Sequence, residues 1–213
     1  MSYSLYLFDF DYTLVNSEEG ILKCFRLTLD AYARPQVPDD VIRKTIGLPM
    51  EEAVRRITGY EDAAQIDAFI EDYRHLADRY MTPGTHFFPD TLDVLRALRA
   101  RGARIGIISS KTRSRIQEKF DETGTSDLID RIIGIEDVKM PKPAPEGIEA
   151  ALRAFGAARQ QTLYVGDSVV DAGAAQQAAV PFAAVLTGAT PAAAFDAYPH
   201  VAICQNLRGL LTL

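Results

Sequence analysis

Short apolar runs alternate with helix-period segments along most of this chain, and that alternation limits the fold more than any other feature. Runs at 5–10, 104–108, 162–165 and 182–186 are apolar almost throughout, with a weaker one at 131–135. Segments 91–101, 112–123, 146–155 and 169–178 carry helical spacing between them. A strand that is apolar on both faces has to be covered on both faces, the condition met by a parallel sheet flanked by helices. The expected fold class is α/β, a doubly wound parallel sheet. In such sheets ligands bind beyond the carboxyl ends of the strands, so the residues just after each run are the ones to inspect.

The alternation fails once. Between Val15 and Pro83 only helical patterns occur. Ser17 before Glu18 and Glu19 is a helix start, with Ile21, Phe25, Leu29 and Tyr32 along one face. A second helix begins at Asp39 or Asp40 and ends by Gly47. A third has Pro49 in its first turn and stops near Gly59. Residues 61–80 make a fourth. This block reads as an inserted all-helical cap over 16–83, leaving 1–15 and 84–213 as the catalytic core. The Ala-rich stretch 191–197 is expected to be a short surface segment.

The formal net charge of -6 over 213 residues offers no basic face for a run of phosphates, which argues against nucleic acid as partner. No apolar run reaches membrane-spanning length. The first residues read as a strand rather than a signal peptide. Cys24 and Cys204 lie too far apart in sequence for a metal pair and are expected to be plain thiols. His75, His86 and His200 have no ligand spacing. These features point to a cytoplasmic protein, monomer or homodimer, acting on a small molecule.

Three strand ends carry the chemistry. After the first come Asp9, Asp11 and Thr13; after 104–108 come Ser109, Ser110 and Lys111; after 162–165 come Gly166, Asp167, Ser168 and Asp171. A loop at 140–145 sets Lys142 among three prolines. Carboxylates crowded on one sheet edge repel by about 4 kcal/mol per pair at 4 Å and an effective dielectric of 20. Such a cluster calls for a cation, and hard oxygen ligands favour Mg2+. Asp9, Asp11, Asp167 and Asp171 are the expected metal residues. Together the groups suit hydrolysis of a phosphomonoester. Asp9 is the nucleophile, Asp11 the acid and base, Ser109 a hydrogen-bond donor to the phosphoryl oxygens, and Lys142 a fixed positive charge. Thr13, the Ser110 amide at a helix start, and Gly47 are the expected substrate-binding positions. Glu136 and Asp137 are either supports behind the site or a solvated turn. Arg43, Lys44, Arg55 and Arg56 read chiefly as a solvated helical face.

With these motifs in order, the whole chain resembles the haloacid dehalogenase superfamily in its phosphoglycolate phosphatase-like branch. The four motifs are Asp9 to Thr13, Ser109, Lys142 to Pro145, and Gly166 to Asp171. The resemblance implies a substrate-selecting helical cap, an aspartyl-phosphate intermediate, Mg2+, and a small phosphorylated metabolite as substrate. Phosphoglycolate and sugar phosphates are the implied substrates. A phosphomutase of the β-phosphoglucomutase type and a pyrophosphatase are alternatives from the same branch. Relatives often carry glycine where this chain has Tyr12, whose ring is expected to bear on substrate choice. Asp11 separates the chain from the true dehalogenases. A receiver-type signalling domain would place its acceptor aspartate after a central strand rather than the first, and would lack the insertion.

Overall fold

The structure is a computed structural model that describes residues 3–34 and 37–213. The chain forms two compact units, Met1–Val15 with Phe87–Leu213, and Asn16–His86. The return crossing therefore falls at residues 86 and 87, a few residues beyond the expected 83 and 84. In chain order the elements are β1 (Leu5–Phe8), β2 (Val15–Asn16), α1 (Glu18–Ala31), α2 (Asp39–Arg43), α3 (Met50–Thr58) and α4 (Ala63–Tyr80). Then follow β3 (His86–Phe87), α5 (Thr91–Ala100), β4 (Arg104–Ile108), α6 (Arg113–Glu122), β5 (Arg131–Ile133) and α7 (Glu146–Phe155). The last are β6 (Thr162–Gly166), α8 (Val169–Ala178), β7 (Phe182–Val185) and β8 (Ala202–Cys204).

The larger unit holds a six-stranded sheet in the order β5-β4-β1-β6-β7-β8, parallel at every pairing. Its strands bury both faces. Tyr6, Phe8, Ile105, Ile107, Leu163 and Val165 belong to one apolar layer, while Leu5, Leu7, Ile108, Tyr164 and Phe182 belong to the other. The period-2 alternation of side chains thus feeds two cores at once. From β1 the chain builds outward through β4 and β5, then returns to β6 on the other side of β1. That reversal makes the carboxyl end of β1 the switch point where such sheets place ligands. Phe8 is in register with Ile107 on β4 and Val165 on β6, so Asp9, Ile108 and Gly166 stand level.

Two details depart from the sequence reading and a third refines it. β1 ends at Phe8, two residues before its apolar run does, which leaves Asp9 and Phe10 beyond the strand. The edge strand β8 was not expected; its three residues are only partly buried and carry little pattern. Residues 192–197 are the exposed segment expected, except that they form a 3-10 turn with one inward anchor: Phe195 is completely buried, its ring 6.0 Å from that of Phe182.

The helical unit has its own core, with Phe25, Leu29, Ile42, Val54, Ile66, Phe69 and Tyr73 among its members. Phe25 and Tyr73 join α1 to α4 with ring centroids 4.7 Å apart. Asp62 caps α4 by accepting the Gln65 amide. Ser17 stands at the start of α1 as expected but makes no side-chain cap bond; its hydroxyl is buried without a hydrogen-bond partner. Pro49 sits at the cap of α3 rather than in its first turn. Among the described residues no helix is long and apolar enough to cross a membrane.

Candidate active site

The turn after β1 is fixed by its backbone. The Asp9 amide donates to the Val165 carbonyl at 2.9 Å, tying the turn to β6, and the amides of Thr13, Leu14 and Val15 all converge on the Phe10 carbonyl. Tyr12 holds this turn in the left-handed region, at φ 60°, where a Cβ is unfavourable and glycine is the common solution. Its amide donates to Val15 at 2.7 Å, and its carbonyl accepts the Thr187 hydroxyl at 2.5 Å. The side chain is 7% exposed.

Asp9, Asp167 and Asp171 converge at the sheet edge, each offering a carboxylate oxygen within 4.8 Å of the others, all buried. Lys142 Nζ lies 2.7 Å from Asp9 Oδ1 and 2.6 Å from Asp171 Oδ1. The Lys142 loop is positioned from both sides. Glu146 accepts the amides of Lys139 and Met140 at 3.0 and 2.8 Å, which hold its carboxyl below the usual range. Gln177 on α8 donates to the Pro143 carbonyl at 2.9 Å.

Electrostatics follow from burial. Desolvation pushes the Asp9 carboxyl up to about 7, with Lys142 opposing and Asp171 and Asp11 adding to the rise. Asp167 is raised well above the ordinary carboxylate range, by burial first and then by Asp171 and Asp9. Burial alone would lower the Lys142 ammonium, but the carboxylates of Asp171 and Asp9 outweigh it and hold the group protonated. The cluster therefore carries more carboxylate than one lysine neutralises. Two glycines shape it. A Cβ built at Gly188, on the loop after β7, would overlap the Asp167 carboxylate, and one at Gly166 would overlap Asp171. Crowded, buried, hard-oxygen donors of this kind suit Mg2+.

The structure sorts the remaining expected residues. Asp171 has its acceptors filled: Oδ1 takes Lys142 and the Tyr164 hydroxyl at 2.9 Å, and Oδ2 takes the Ser168 amide and hydroxyl at 3.2 and 2.5 Å. Its position is that of a counter-ion to Lys142. Thr13, grouped above with substrate-binding positions, is fully buried and donates to Asp167 Oδ1 at 3.3 Å, so it supports that carboxylate. Ser109 is buried beyond β4, its amide donating to the Ile133 carbonyl at 3.0 Å. Ser110 is not at a helix start, because α6 begins at Arg113 with Thr112 as its cap. With Ser109 and Lys142 it lines a small cavity, and its hydroxyl is buried without a hydrogen-bond partner.

Glu136 and Asp137 lie on an exposed turn and bind the start of α6 rather than the acidic cluster. Glu136 accepts the Arg113 amide at 2.9 Å; Asp137 pairs with the Arg113 guanidinium and accepts the Gly134 amide at 2.9 Å. Gly47 lies in the helical unit, at φ 91°. The cations of that unit are engaged locally: Arg43 with Glu18 at 2.7 Å, Lys44 with Asp40 at 3.3 Å, Arg56 with Glu52 at 2.7 Å, and Arg55 with the Glu61 carbonyl at 3.1 Å. Both cysteines are free thiols. Sequence reasoning gave no role to Tyr164, Gly188, Glu146 or Gln177. Lys111, noted in the sequence but assigned no role, pairs with Asp11 at 3.0 Å, both side chains nearly buried.

The chain is similar to known proteins along its whole length. A family model described as haloacid dehalogenase-like hydrolase matches residues 6–185. A crystal structure from Bacteroides fragilis, assigned as a haloacid dehalogenase-like hydrolase, superposes with a TM-score of 0.95 at 45% identity, covering 98% of this chain and all of that one. One from Lactobacillus plantarum, assigned as a phosphoglycolate phosphatase, gives 0.87 at 26% identity, covering 100% and 99%. Among curated proteins, the pyrophosphatase PpaX of Oceanobacillus iheyensis is 29% identical over 213 residues, covering 100% of this chain and 97% of its own.

Proposed function

The chain belongs to the haloacid dehalogenase-like hydrolases, and from that premise we propose that it hydrolyses small phosphomonoesters with Asp9 as nucleophile and Mg2+ as cofactor. One observation carries the reading: Asp9 sits at the switch point of the sheet, paired with Lys142 at 2.7 Å and clustered with two further buried carboxylates.

In the first step an Asp9 carboxylate oxygen attacks phosphorus while the bond to the leaving oxygen breaks, giving an aspartyl-phosphate. Asp11 gives its proton to the departing oxygen. Ser109 and the Ser110 amide hold the phosphoryl oxygens, and Lys142 keeps Asp9 oriented and offsets charge. In the second step Asp11 takes a proton from water, the water oxygen bonds to phosphorus, and the Asp9–phosphorus bond breaks to release phosphate. Asp9, Asp167 and the Asp11 carbonyl are the proposed holders of Mg2+, which supplies charge neutralisation for the transferring group. Asp171 anchors Lys142, and Thr13 steadies Asp167. The helical unit serves as the substrate-selecting cap, with the Gly47 turn as its proposed contact.

Release of inorganic phosphate from a panel of phosphorylated metabolites, with and without Mg2+, tests the activity. Asp9→Asn is expected to lower kcat by about 1,000-fold or more; near wild-type turnover with deamidation excluded would overturn the nucleophile assignment. The full-length similarity to PpaX favours pyrophosphate as the second reading, measured as pyrophosphate turnover exceeding that of every monoester. Conversion of glucose 1-phosphate to glucose 6-phosphate without free phosphate would instead identify a mutase.

A further inference from the structure

The turn between β1 and β2 carries a contact that its own residues do not supply. Its other hydrogen bonds are local: the Tyr12 amide donates to Val15, and the amides of Thr13, Leu14 and Val15 donate to the Phe10 carbonyl. The Tyr12 carbonyl instead accepts the hydroxyl of Thr187, 175 residues on, at 2.5 Å. That carbonyl shares a rigid peptide plane with the Thr13 amide, whose bond to Phe10 is the longest of these at 3.3 Å. Thr187 therefore fixes how the Tyr12–Thr13 peptide is turned. The need for it lies at residue 12. A side chain at φ 60° is held only where its surroundings over-determine the backbone, whereas glycine rests there unaided.

Two links join this contact to the acidic cluster. Thr13, on the far side of the locked peptide, donates its hydroxyl to Asp167 Oδ1 at 3.3 Å. Gly188, next to Thr187, passes so close that a Cβ there would overlap the Asp167 carboxylate. The loop is anchored one residue earlier, where the Leu186 amide donates to the Cys204 carbonyl of β8 at 2.9 Å. A β-branched side chain is also stiff at χ1, so the Thr187 hydroxyl is a fixed point for the turn to lean on.

We infer that Thr187 is a positioning residue for the metal site: its hydroxyl latches the left-handed turn at Tyr12 and, through that turn, keeps the Asp11 carbonyl and Asp167 in place to hold Mg2+. The inference rests on the Mg2+-dependent phosphohydrolase reading above, which makes those two groups metal holders. It also couples Thr187 to residue 12, because the latch is needed only where residue 12 carries a side chain.

The Mg2+ Kd of the substrate-free protein, measured by titration calorimetry, tests it. Thr187→Val keeps the shape and removes the hydroxyl; it is expected to raise the Kd by about tenfold, with Thr187→Ser staying near wild type. In a Tyr12→Gly background the same Thr187→Val change should raise the Kd by less than about threefold. Each Thr187 variant is compared with its own background, so any other contact made by Tyr12 cancels. Hydrolysis by Thr187→Val protein should recover as Mg2+ is raised, a response that a role in folding alone would not produce. An unchanged Kd in Thr187→Val would overturn the inference, as would an equal loss in both backgrounds or an activity loss that no Mg2+ concentration restores. In each of these cases Mg2+-dependent turnover by wild type would leave the phosphohydrolase reading standing. Wild-type protein that neither binds Mg2+ nor hydrolyses any phosphate compound would overturn both.

Discussion

At the residue scale, the site owes its shape as much to what is absent as to what is present. Gly188 offers no reactive group, yet its missing Cβ is what lets the loop after β7 close over Asp167. Gly188→Ala should displace that carboxylate while leaving the two apolar layers intact. The expected outcome is loss of the Mg2+-induced rise in Tm together with at least about a tenfold fall in kcat/KM. A variant with an undiminished metal response would show that Asp167 is not where the metal binds. Tyr164 makes a complementary contribution: its buried phenol, kept protonated by desolvation and by Asp171, donates to the carboxylate that holds Lys142. Tyr12 shows the opposite economy. A bulky residue occupies a left-handed position because its amide and carbonyl are both bonded there, so the turn is over-determined by its surroundings.

At the scale of elements, Lys142 depends on the loop that follows the 3-10 turn Ile135–Asp137 and leads into α7. Three prolines limit that loop's freedom, and Glu146, the first residue of α7, caps two of its amides. Glu146 is also an acidic group in a helix's first turn, where it complements the helix dipole. Glu146→Gln removes the charge but keeps an acceptor, and Glu146→Ala removes both. The expected order of kcat is wild type, then Gln, then Ala, with KM for phosphate esters changing less than kcat because Lys142 orients Asp9. Faster amide exchange at Lys139 and Met140 in the Ala variant would trace the loss to the loop. Unchanged kcat in both variants would show that the prolines alone hold Lys142. Strands β1, β4 and β6 need no such help, since their side chains feed two apolar layers and their register is set by that burial.

At the scale of the whole molecule, buried carboxylates make stability depend on pH in an identifiable direction. Asp9 titrates at about 7 when folded, against an ordinary value of 3.8, so the native state binds its proton more tightly than the unfolded chain does. The stability this contributes is complete below about pH 4 and is lost as pH rises through about 7. Asp167 is shifted in the same direction. Without metal, the Tm of wild-type protein should fall relative to that of Asp9→Asn as pH is raised from about 5 to about 8. Mg2+ should restore stability to wild type, and more so at the upper end of that range. Parallel Tm curves for the two proteins across it would show that Asp9 is not held in a desolvated cluster.

How much of this was legible in the sequence differs by type of feature. Apolar runs sustained on both faces of a strand announce a covered parallel sheet, and β1, β4, β6 and β7 were therefore readable with errors only at their ends. The edge strand β8 was not, because three half-buried residues leave no period to detect. Asp9, Ser109, Lys142 and Asp167 were legible because each follows an apolar run or stands in a Pro-fixed loop, where a polar residue has to be explained. What the sequence could not contain was the division of labour among them. Asp171 was expected at the metal cluster, where it stands, but not as the anchor of Lys142; Thr13 was expected at the substrate and Ser110 at a helix start. Their positions were decided by contacts with Tyr164, Lys142 and Asp167 and by a helix that begins at Arg113. The partnership of Lys111 with Asp11 was equally invisible, since it spans 100 residues of chain and depends on β1 and β4 being neighbours. Burial patterns are local and so leave a trace in sequence order. Hydrogen-bond partners, close approaches at glycine and pKa shifts arise between residues brought together by the sheet, and only the tertiary structure decides them.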